Sequence, residues 1–227
     1  MNSSWINVRR LLAKEFRTEF RSPTNLWTAL ILNSACATAL GLAANREFPG
    51  RELLAGMLVA LLIFSAVSVL PRLIIAEGDQ GTYDFLRLHF QPEEIFWGKF
   101  LYAALVQFAG GVLITTILVG MSGRPVEQAA FLLLGVLLET LCFAGTLILC
   151  GCFALGASAR WTLAGMLAIP LLLPQSIAGQ GVFRHAFGAG LPSTAWVNVG
   201  ALAGYVLVLV AVGPPLCRAV SSLGADK

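Results

Sequence analysis

The chain has 227 residues, of which 57% are hydrophobic and 12% charged, with 15 Lys and Arg against 12 Asp and Glu. Soluble domains carry about 45–50% apolar and about 25% charged residues, so this composition excludes a water-soluble globular or disordered chain, and no nucleic-acid partner is expected. The net charge of +3 decides little; the placement of the cations decides more.

Residues Trp5 to Arg21 predict an amphipathic helix lying along the membrane surface. At 100° per residue Trp5, Val8, Leu12, Phe16 and Phe20 share one arc, and Arg10, Lys14, Arg17 and Arg21 gather opposite. Aromatics in the acyl boundary and cations toward anionic headgroups suit an interfacial segment, although Arg9 and Glu19 fall near the apolar arc. A solvated helix packed on a partner protein is the alternative. Ser22-Pro23-Thr24-Asn25 ends this helix and offers capping oxygens to the next, so residues 1–25 form an elbow.

Six apolar segments follow, each about long enough to cross a bilayer as a helix: Leu26–Leu42, Leu53–Ala76, Phe100–Met121, Ala129–Leu155, Thr162–Ala178 and Trp196–Cys217. Only helices or closed barrels satisfy their backbone in lipid, and these runs lack the alternation of barrel strands. The expected fold is an all-α membrane protein, with a six-span domain over residues 26–217 and a tail over 218–227. With the N-terminus in the cytoplasm, only Arg46, Arg51, Arg124 and Arg184 of the fifteen cations fall outside, a clear positive-inside bias. Both termini are therefore expected in the cytoplasm, and the first span rather than a cleaved signal peptide is expected to target the chain.

The longest cytoplasmic connection is the loop 77–99. Glu77-Gly78-Asp79-Gln80-Gly81 predicts a flexible acidic turn, Thr82 a cap, and Tyr83–Leu88 a short amphipathic helix with exposed aromatics. Pro92, Glu93 and Glu94 suit the first turn of another helix. Such an element reads either as a docking helix or as a hairpin packed on its own bundle. The outer loop Gly179–Ala195 holds four glycines and a proline and is expected to be irregular or re-entrant.

Around this connection the sequence resembles the haem exporter protein B (CcmB) family, six-span ABC-transporter permeases of cytochrome c maturation. The likeness runs through Leu12-Ala13-Lys14-Glu15-Phe16-Arg17-Thr18-Glu19-Phe20-Arg21, the turn Glu77-Gly78-Asp79-Gln80-Gly81-Thr82, the helix Tyr83-Asp84-Phe85-Leu86-Arg87-Leu88, Gly98-Lys99 and Ala168-Ile169-Pro170-Leu171-Leu172-Leu173-Pro174. It departs from that family at Glu139 and in the 179–195 loop. The resemblance implies an ABC-2-type permease in the cell inner membrane whose coupling helix, with Glu77, Gly81, Thr82, Tyr83, Asp84, Phe85, Leu86 and Arg87, meets a separate CcmA-like ATPase. It further implies haem as cargo and other cytochrome c maturation membrane proteins as partners. An ABC-2-type permease for lipid, polysaccharide or drug is the alternative.

The chain has no G-x-x-x-x-G-K-[ST] segment, so ATP is expected to be used by the partner and no catalytic, metal or cofactor-binding residue is assigned. A membrane-embedded enzyme would need a nucleophile, base or ligand set converging on Glu139, and that span supplies none. Glu139 reads either as a polar contact for cargo or a second subunit, or as a structural group hydrogen-bonded to a neighbour such as Gln107. His89 and His185 lie on opposite sides of the membrane and are not assigned as haem ligands. The cysteines read as apolar filler. Pro170 and Pro174, one turn apart, predict a hinge or a static kink in the fifth span, and Gly200 and Gly204 either packing within the subunit or a homodimer contact.

Overall fold

The computed structural model describes residues 2–21, 24–47, 50–69, 72–155, 157 and 159–223. Among these, the regular elements are all helices: α1 (Asn2–Arg21), α2 (Thr24–Glu47), α3 (Arg51–Val69), α4 (Arg72–Asp79), α5 (Thr82–His89), α6 (Pro92–Ser122), α7 (Ala129–Ala154), α8 (Arg160–Ala186) and α9 (Pro192–Leu223). Six stretches are long and apolar enough to cross a membrane: α2, α3 with α4, and α6 to α9. The Ser22-Pro23 break, Pro71 and residues 224–227 of the tail lie outside the described residues, as do the side chains of Thr24, Asn25, Arg72 and Asp84.

Helix α7 is the central post, in contact with α3, α4, α6, α8 and α9. Two-thirds of its apolar window is buried (67%), against 17% for α2 and 22% for α9, which turn most of their surface outward. Lipid tails are as apolar as leucine, so nothing hydrophobic drives one such helix onto another; close approach and internal hydrogen bonds must do it. Glycine supplies the approach. A Cβ at Gly111 would stand 3.0 Å from Thr140 Cγ2, and one at Gly135 would stand 2.6 Å from Phe183 Cε1. Several hydroxyls inside the spans bond back to their own helix, as Thr115 and Thr140 do to Gly111 O and Val136 O, each at 2.7 Å. Gln107 bonds across to α3, donating to Leu62 O at 3.0 Å while Ser65 donates to its Oε1 at 3.4 Å.

Several expectations change. Residues Glu77–Asp79 form the last turn of α4 and not a flexible turn. The third span begins at Pro92 instead of Phe100, because Gln91 and Glu94 form a capping box on either side of Pro92 and launch the helix at once. Thr82 does not cap α5: its N-cap is Gly81, and the Thr82 hydroxyl donates to Glu77 O at 3.2 Å. The outer 179–195 loop is mostly helix, since α8 continues to Ala186 and α9 starts at Pro192. Its early glycines are packing positions: a Cβ at Gly179 would overlap the carboxyl of Glu139, and one at Gly181 the amide of Asn198. Gly200 and Gly204 have nothing within 4 Å of a built Cβ, so they do not pack within the subunit. On α1 the buried arc is Val8, Leu11 and Glu15 against α6, while Trp5 and Phe20 are exposed; Leu11 fits over Gly98, where a Cβ would stand 2.7 Å from its own.

Overpacking of this kind costs about 1–3 kcal/mol. Gly179→Ala is expected to lower the thermal midpoint of the detergent-solubilised protein by several degrees, while Gly200→Ala leaves it unchanged, both read by thermal unfolding.

Candidate functional site

The short helix α5 stands at the tip of a hairpin between α4 and α6. Gln80 N–H donates to Ala76 O at 3.0 Å, and Gly81 then turns the chain with φ of +70°, a left-handed conformation that side chains with a Cβ disfavour. Three- and four-residue spacing splits α5 into two faces. Tyr83 and Leu86 are buried in a small cluster with Leu11 of α1 and Ile95 of α6. Phe85 and Leu88 point the other way, 63% and 81% exposed, and the Phe85 ring lies 4.6 Å from that of His89. Between this face and α1 runs a groove of about 310 Å³, lined in part by Arg10, Leu11, Lys14 and Phe85.

Four charged side chains beneath α5 alternate in sign around a closed ring. Lys99 of α6 is 1% exposed, and its Nζ lies 3.0 Å from Glu15 Oε1 of α1 and 2.6 Å from Glu77 Oε2 of α4, while also donating to Leu73 O at 2.6 Å. Lys14 closes the ring on the other side, 3.2 Å from Glu15 Oε1 and paired with Glu77 Oε1. Burial alone would lower the Lys14 pKa, but the carboxylates of Glu15 and Glu77 outweigh it and hold the ammonium above its ordinary value. A raised lysine adds stability that is complete below the ordinary value and is lost as pH climbs through the raised one.

Two further contacts fix the hairpin. Asp79, at the end of α4, accepts from Arg160 Nη1 at 2.9 Å and from Trp161 Nε1 at 3.2 Å, tying it to the start of α8. Glu94 accepts from Gln91 N at 3.1 Å and from Asn7 Nδ2 of α1 at 3.1 Å.

The expected coupling residues therefore divide. Phe85 faces outward and Gly81 makes the turn; Tyr83 and Leu86 face inward; Glu77 points into the ring and away from any docking surface; Arg87 is half-buried. Asp84 lies in the backbone of α5 with its side chain outside the described residues. The sequence reading missed Leu88 as the most exposed apolar side chain of α5, and missed the pairing of Glu15 with Lys99. A carboxylate at i+7 from Val8 and i+4 from Leu11, on an arc that packs inward, was the signal for a buried partner.

Glu139 is 0% exposed, sits against Gly179, and its oxygens make no hydrogen bond to a described residue; Gln107 is committed to α3 and does not reach it. Helix α8 passes through Pro170 and Pro174 without ending. Pro174 removes one backbone donor and crowds the turn before it, and the carbonyl of Leu171 accepts from Gln175 Nε2 at 2.6 Å and Tyr205 Oη at 3.1 Å. At the far end of the bundle, Arg51 pairs with Glu127 and donates to Gly188 O at 3.1 Å, and Arg184 pairs with Glu52.

No curated protein matches the chain. The family model for the ABC-2 type transporter matches residues 6–179, from α1 into α8, and so takes in the ring, the α5 hairpin and Glu139. With its six apolar spans, this chain is a multi-pass permease subunit of an ABC exporter that works with an ABC ATPase, and it belongs to the ABC-2 type transporter family.

Proposed function

We propose that the chain is the permease of an ATP-driven exporter serving cytochrome c maturation in the inner membrane, with both termini cytoplasmic. A separate CcmA-like ATPase docks on the outward face of α5, and haem is the cargo or the molecule delivered with the ATP energy. The observation that carries the docking half is the exposure of Phe85 and Leu88 on a helix whose other face is fixed to α1 and α6. An apolar pair held rigidly at the tip of a hairpin is suited to entering a pocket on a partner. Haem as cargo rests on the order of features shared with the haem exporter protein B family, from the α1 segment through the α5 hairpin to the two prolines of α8. His89, exposed on α5, and His185, buried near the far end, are too far separated along the fold to act as one ligand pair, and neither is assigned to haem.

Burying a large apolar side chain is worth about 1.5–3 kcal/mol, or roughly tenfold in affinity for each 1.4 kcal/mol. Phe85→Ala and Leu88→Ala are each expected to cut co-purification of the ATPase by about tenfold or more, with the thermal midpoint of the permease unchanged. The purified chain alone is expected to hydrolyse no ATP, with turnover appearing only when the ATPase is added. Loss of the gene is expected to abolish covalent haem in c-type cytochromes, read by haem staining of membrane fractions. Normal c-type cytochromes in that strain would assign the exporter to another cargo.

A further inference from the structure

The alternating ring lies under α5, only Lys14 reaching the groove beside its outward face, and its members come from three elements that a push on α5 would have to move. Helix α4 leads directly into α5, α6 leads away from it, and α1 lies across both. Lys99 is the one residue among the four that grips α4 twice, through the Glu77 carboxylate at 2.6 Å and through the backbone carbonyl of Leu73 at 2.6 Å, two turns further into the bundle than the tip of the hairpin. It is also the ring member with least access to water, 1% exposed against 38% for the Lys14 side chain. Charges in such a site lose most of their hydration, so they are held only as long as the geometry of the partners is kept; pulling one partner away leaves an uncompensated buried charge. A joint of that kind transmits displacement instead of absorbing it.

We propose that Lys99 is a positioning residue for coupling: by locking Glu77 and the Leu73 carbonyl of α4 to α6, it makes α4, α5 and the head of α6 one rigid lever, so that movement of α5 by the ATPase is delivered to the third span. This rests on the docking of the ATPase on α5. It assigns Glu77 an inward mechanical role in place of a contact with the partner. Asp79, with Arg160 and Trp161, supplies the same lever with a second, water-exposed attachment on α8.

The test uses the full permease with its ATPase in nanodiscs, spin-labelled at Met121 of α6 and Val197 of α9, both outward-facing positions at the end of the bundle away from α5. The readout is the change in label distance on adding ATP and vanadate, together with the amount of bound ATPase. The double variant E77Q/K99M removes one cation and one anion and leaves Lys14 paired with Glu15, so no charge is stranded. It is expected to keep the ATPase bound at the wild-type level while the distance change falls at least fivefold. The matched variant K14M/E15Q removes the same charges but leaves Lys99 on Glu77 and Leu73 O, and is expected to keep most of the change. K99R, which preserves the charge, keeps at least half of it. If E77Q/K99M does not fold, the single E77Q carries the same test, with the change at least halved. A full distance change in E77Q/K99M, an equal loss in K14M/E15Q, or loss of the ATPase along with the movement would each overturn the proposal. Failure of docking itself is reported separately by Phe85→Ala, which leaves the ring intact.

Discussion

A lysine with almost no access to water, held by two carboxylates and a backbone carbonyl, is the contact on which the α5 end of this protein depends. Desolvating an ammonium and two carboxylates costs several kcal/mol per ion, and only close, well-aligned partners return it. The ring meets that condition because each of its four members touches two of opposite sign. It does so across elements far apart in sequence, so α1, α4 and α6 can take their places only together. Tyr83 and Leu86 then have a floor of Leu11 and Ile95 to pack on, and Phe85 and Leu88 are left outside by the geometry of a helix two turns long.

Elsewhere the protein holds together by different means. Around α7, glycines let neighbours approach to contact distance, Thr140 bonds to its own backbone and Gln175 of α8 bonds across to Thr146, as expected where lipid gives no hydrophobic incentive for helices to associate. Glu139 differs from the buried amides Gln107 and Gln175: it lies against Gly179 with its oxygens unbonded to any described residue. Ion pairs among the described residues are thus concentrated at the α5 end, and at the far end where Arg51, Glu127, Arg184 and Glu52 pair. The middle is held by shape and a few hydrogen bonds of neutral side chains.

How much of this could be read from residues alone follows from the range of each interaction. The six spans were legible because lipid imposes an apolar run of fixed minimum length, and the α5 hairpin because Gly81 and Pro92 punctuate it locally. The 179–195 segment was misread because Gly179 and Gly181 look like loop formers. Their actual task is to admit Glu139 and Asn198 from neighbouring helices, which no local pattern announces. The inward turns of Tyr83 and Glu77 were likewise invisible: both depend on where α1 and α6 lie, and on Glu15 and Lys99, 84 positions apart, meeting at 3.0 Å. For the same reason the residues of the 77–87 stretch could be named only as a group, without the side to which each one turns.

The small outward face of α5 has a consequence for assembly. An aromatic side chain offers about 150–250 Å² and a leucine less, whereas a standard lasting interface takes about 800 Å² from each partner. A plug made of Phe85 and Leu88 falls well short of that by itself, so recruitment through one α5 would be short-lived. Residence on the membrane would then depend on engaging two plugs at once or on borrowing the neighbouring surface of α1, where the second contact forms at the high effective concentration set by the first.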